Sequence, residues 1–65
     1  MPDTIYNVTF AKNKDSVAET RRVSATSPSA AVKLVEDFGY VVIQATWEEV
    51  SERFGNIRQT YEPGH

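Results

Sequence analysis

Between Thr26 and Gly39 the chain marks both ends of a helix, and this stretch restricts the fold more than any other. Ser27 suits the N-cap, where its side-chain oxygen accepts from a free N–H of the first turn. Pro28 suits the first helical position, because its missing N–H would have no partner there. Ala31, Leu34, Val35 and Phe38 then recur at i, i+3, i+4 and i+7, while Lys33, Glu36 and Asp37 fall to water. Gly39 stands where a left-handed residue ends a helix. The spacing predicts a helix over residues 28–38, docked through the seam of Ala31, Leu34, Val35 and Phe38.

The surface to receive that seam comes first from residues 4–11. Tyr6, Val8 and Phe10 alternate with Asn7 and Thr9, and Ile5 is the apolar exception. Period two in β-branched and aromatic residues predicts a half-buried strand. Residues 12–16 are polar turn formers and predict a loop longer than a two-residue turn. Residues 17–25 predict a second strand. Val17, Glu19, Arg21, Val23 and Ala25 share one face, and neither face is cleanly apolar. That pattern fits a sheet edge, where charge discourages pairing with another chain. After the helix, Tyr40-Val41-Val42-Ile43 opens a buried third strand over 40–45.

Two readings compete for residues 46–61. Thr46 with Glu49 forms a capping box, and Trp47, Val50 and Phe54 recur at i, i+3 and i+7. Glu48, Glu49 and Glu52 are poor strand residues, so propensity predicts a short second helix over 47–54. The alternative continues the strand through Trp47 and Val50, turns at Phe54-Gly55-Asn56 and returns as a strand over 57–61. Residues 62–65 read as a frayed tail.

The resulting expectation is one α+β domain over residues 1–65. Its sheet has three antiparallel strands in the order 2-1-3 (ββαβ). The main helix covers Tyr6, Val8 and Phe10, and a short second helix lies near the C-terminus. The alternative is ββαββ. Strand one is the more apolar hairpin member and suits the centre, which leaves charged strand two outside. The opposite face, with Asn7 and Thr9, is left for solvent or binding. A chain this short buries only about 60% of its unfolded surface, and without cysteine it has no cross-link to help. Pairing with a partner would supply what the core lacks.

Several functions are excluded on composition and spacing. No window approaches about 18 consecutive apolar residues, so no membrane span is expected. Met1-Pro2-Asp3-Thr4 lacks the basic and apolar regions of a secretion signal, and the cysteine-free chain suits a cytoplasmic location. Absence of cysteine removes thiol catalysis and zinc–thiolate sites. The sole histidine, His65, is the last residue, where nothing positions it for acid–base work. Glu48 and Glu52 would share a solvated helix face, Glu36 and Asp37 point apart, and neither pair has metal-ligand spacing. The three glycines are isolated and make no phosphate loop; Ser24, Ser27 and Ser29 have no base partner. Asn7-Val8-Thr9 matches a glycosylation acceptor by chance, inside a strand. The chain is expected to be no enzyme, with no cofactor and no metal.

Binding remains. Trp47, Glu48, Glu52, Arg53 and Tyr61 are the candidate protein contacts, because Trp, Tyr and Arg anchor interfaces and an acidic helix would steer a basic partner. They predict an interaction module of adaptor or inhibitor type, or a homodimer. The alternative partner is nucleic acid, met by Lys12, Lys14, Arg21 and Arg22 on the first hairpin. Against it, Asp15 and Glu19 interrupt these cations and the formal net charge is −2. Arg21 and Arg22 also point to opposite faces of a strand, and so are not expected to form one patch.

The phrase Val23-Ser24-Ala25, Ser27-Pro28, Ala31, then Gly39-Tyr40-Val41-Val42 resembles a strand–cap–helix–strand unit of small phage-encoded and bacterial proteins and some ribosomal accessory proteins. It covers about a third of the chain, mostly encodes capping, and implies no functional residue.

Overall fold

The alternation in the first strand does what its period demands. Tyr6, Val8 and Phe10 are buried on one side, while Asn7 and Thr9 lie half-buried on the other. A computed structural model describes residues 3–63. The elements are β1 (Thr4–Ala11), β2 (Glu19–Ala25), α1 (Pro28–Glu36), β3 (Val41–Ser51) and β4 (Gly55–Tyr61). All strand pairs are antiparallel, and the order across the sheet is β2-β1-β3-β4. β1 is therefore central and charged β2 is an edge, as its mixed faces demand. Of the tail, Gly64 and His65 lie outside the described residues, as do Met1 and Pro2. Among the described residues, no helix is long and apolar enough to cross a membrane.

The three-stranded sheet is corrected to four strands, and the short second helix over 47–54 does not form. β3 runs eleven residues instead, turns through Glu52, Arg53 and Phe54, and returns as β4. Helix preference over these residues amounts to tenths of a kcal/mol each. Against it stands the whole β3–β4 ladder from Ala45↔Tyr61 to Ser51↔Gly55. The strand also lays Trp47 edge-on against Tyr6, with ring centroids 5.2 Å apart. Glu49, the expected capping-box partner of Thr46, instead accepts the Trp47 indole N–H at 3.0 Å. Gly55, at φ +73°, supplies the left-handed residue that closes a three-residue hairpin loop.

The helix start is as read. Ser27 is extended, and its Oγ accepts from Ala30 N–H at 3.1 Å. The end comes sooner, at Glu36, with Asp37 as C-cap and Gly39 at φ +88°. The docking seam is partly corrected. Ala31, Val32 and Val35 are buried, whereas Leu34 is 47% and Phe38 78% exposed. The sheet already brings large rings, Tyr6 and Phe10, to the interface, and a close-packed layer accepts small helix side chains opposite them.

One irregularity shapes the end of the core. Thr9 pairs with Gln44 but Phe10 with Val42, so Ile43 is an extra residue in β3. A one-residue shift exchanges the faces of a strand. It brings Val42 and Tyr40, rather than Val41 and Ile43, to the helix side. Tyr40 there stacks on Phe10, with centroids 4.9 Å apart and planes 19° from parallel.

Candidate functional site

The five residues expected to contact a protein do not form one patch. Trp47 and Tyr61 lie on the helix side, half-buried against the core cluster. Glu48 is on the other face, across from Arg58, with 3.8 Å between Oε1 and Nη2. This exposed pair adds little stability. Glu52 and Arg53 sit in the hairpin turn, where Ser51 Oγ accepts from the N–H of Arg53 and of Phe54 at 3.3 Å each. The expected acidic helix face is thus replaced by carboxylates distributed around a strand and a turn.

These residues instead belong to an arm. β1 pairs with β3 only as far as Thr46; beyond it, among the described residues, β3 has β4 as its sole neighbour in the sheet. The helix packs on β1, β2 and β3. The molecule is accordingly long, 41 × 22 × 20 Å. Val50 and Phe54, at 86% and 73% exposure, stand at the far end of the arm. β4 carries a single charged side chain, Arg58, along a seven-residue outer edge, whereas β2 carries Glu19, Arg21 and Arg22 along its own.

The cations of the first hairpin divide differently. Lys14 is in the β1–β2 loop, which Asn13 organises by accepting from Asp15 N–H at 2.9 Å and Ser16 Oγ at 3.0 Å. Lys12, Arg21 and Arg22 line a groove of about 440 Å³ beside the β2 edge, with Glu19, Phe10, Val35, Phe38 and Tyr40. Arg21 lies across from buried Val8 and Arg22 across from Asn7, so the two point to opposite faces, as expected. β2 is the edge strand, and both border the space beside it.

The groove's aromatic wall is a site the sequence reading missed. Phe38 stacks beyond Tyr40 at 6.3 Å and 23°, so Phe10, Tyr40 and Phe38 form a series from the core to solvent. The signal in the sequence is the pair of rings flanking Gly39, whose spacing pointed only to core and strand. Among the described residues, no group of three or more His, Cys, Asp or Glu could hold a metal ion. No family model matches the chain, and comparisons with curated proteins and with solved structures likewise find no match.

Proposed function

We propose that the chain is a non-enzymatic protein-interaction module that works through homodimerisation, with the free edge of β4 pairing to that of a second copy. The observation that carries this reading is the difference between the two sheet edges. Natural sheets guard exposed edges with charge. β2 has three charged residues in seven, and β4 has one. Val50 and Phe54, almost uncovered on the same arm, offer apolar area to a second copy. The arm also carries both signs, with Glu48, Glu49 and Glu52 against Arg53 and Arg58. A two-fold interface must be self-complementary, and mixed charge allows that. A cytoplasmic setting fits a chain without cysteine.

Sedimentation equilibrium and thermal melts across the micromolar range test the dimer. Twice the chain mass and a melting temperature that rises with concentration are expected. Phe54→Ser and, independently, Thr60→Lys on β4 should shift the mass toward the monomer with the fold retained. A monomeric mass at high micromolar concentration would refute the reading.

A further inference from the structure

We propose that the groove beside β2 binds single-stranded nucleic acid, with one base stacked on Phe38 and backbone phosphates lying along Lys12, Arg21 and Arg22. The site is independent of the β4 arm. Its first support is the ring series. Phe10 is 3% exposed, Tyr40 is half-buried on it, and Phe38 is 78% exposed at the end. A flat ring set beside another aromatic ring and largely exposed leaves π-surface for a further π-face, and every nucleobase presents one.

The second support is charge. Three cations line the groove against one carboxylate, Glu19, in a chain whose formal net charge is −2. Among the described residues, none of these three cations is held in an ion pair. Ring and cations together match the two halves of a nucleotide, the base and the phosphate.

The groove also distinguishes among nucleic acids. A duplex keeps its bases stacked on one another and offers none to Phe38. No polar or charged side chain among the described residues is buried, so nothing in the groove is fixed to read a base edge. The expected binding is therefore tolerant of sequence and accumulates over several phosphates, which a mononucleotide does not supply.

The experiment is fluorescence anisotropy with labelled oligo(dT), a duplex of equal length, and thymidine monophosphate as competitor. Oligo(dT) should bind at low salt. For three phosphate contacts its affinity should fall roughly 20-fold between about 50 and about 200 mM salt. Phe38→Ala, at an exposed position, should retain the circular dichroism of the fold and weaken binding at least about fivefold, the lower end of stacking on an aromatic ring. Arg21→Glu with Arg22→Glu should weaken it further and flatten the salt dependence. No binding of oligo(dT) at low salt overturns the proposal. So does a Phe38→Ala affinity equal to the parent's, tighter binding of the duplex, or displacement by the monophosphate at concentrations similar to the oligonucleotide's.

Discussion

Val8 shows how little margin a core of this size has. It is fully buried, with Ala45 and Arg21 opposite it on the neighbouring strands, in the cluster that also holds Ala31 and Val35. At roughly 0.05–0.15 kcal/mol per residue a domain of this length is held by only about 3–10 kcal/mol. Val8→Ala should remove about 2 kcal/mol, through lost transfer energy and the cavity left behind. Leu34→Ala, half-exposed on the helix, should cost less than about 1 kcal/mol. Urea midpoints of the two variants check this, and equal losses would mean that the helix docks through Leu34 after all. The periodicity of the helix was legible; its phase was not. Ala31 and Val35 fit both a stripe through Leu34 and one through Val32, and helical spacing alone does not separate the two. The rings of Tyr6 and Phe10, supplied by another element, decide for the one through Val32.

The elements divide by how local their signals are. The cap of α1 needs only Ser27, Pro28 and the next turn, and it was readable without knowledge of the rest. Ser27→Ala should lower stability by about 1 kcal/mol, because the N–H of Ala30 loses its acceptor. Chemical denaturation checks the size of the loss, and Ser27→Asp should recover most of it. Residues 47–61 carry the opposite case. Three glutamates and a Thr46–Glu49 spacing spell a helix locally, while the partners that make them strand lie outside that window: Arg58 across from Glu48 and Ile57 across from Glu49 in the returning strand, and Tyr6, far off in the chain, against Trp47. The extra residue at Ile43 was hidden for a related reason, since a run of consecutive apolar residues does not reveal where a register slips. The aromatic wall of the groove depends on that slip, so the site was illegible for as long as the bulge was.

At the scale of the whole molecule, support for the sheet is uneven along its 41 Å length. At Val8 and Ala45, β1 has a strand on each side and the helix above, whereas the arm beyond Thr46 is two strands deep. Amide hydrogen exchange should reflect this gradient. Amides of Val8 and Ala45 should exchange only through global opening, and those of Val50 and Arg58 through cheaper local openings. Protection of the arm equal to that of β1 in dilute solution would show that the arm is covered by something outside the monomer. Added protein should then raise the arm's protection selectively, a result that belongs with the pairing of β4.

The strand order has a geometric corollary. With β2 and β4 on opposite margins, a pair joined through β4 runs eight strands wide and presents a β2 margin at each end. At the usual spacing near 4.8 Å per strand, these margins stand about 34 Å apart across the strands, and the offset of each arm along them adds to that. If the groove beside β2 binds as proposed, such an object would be bivalent: a flexible polymer held weakly at one end would be tethered close to the other, and the second attachment would become intramolecular. The avidity would then depend on the length of the polymer, with a threshold set by the width of the sheet.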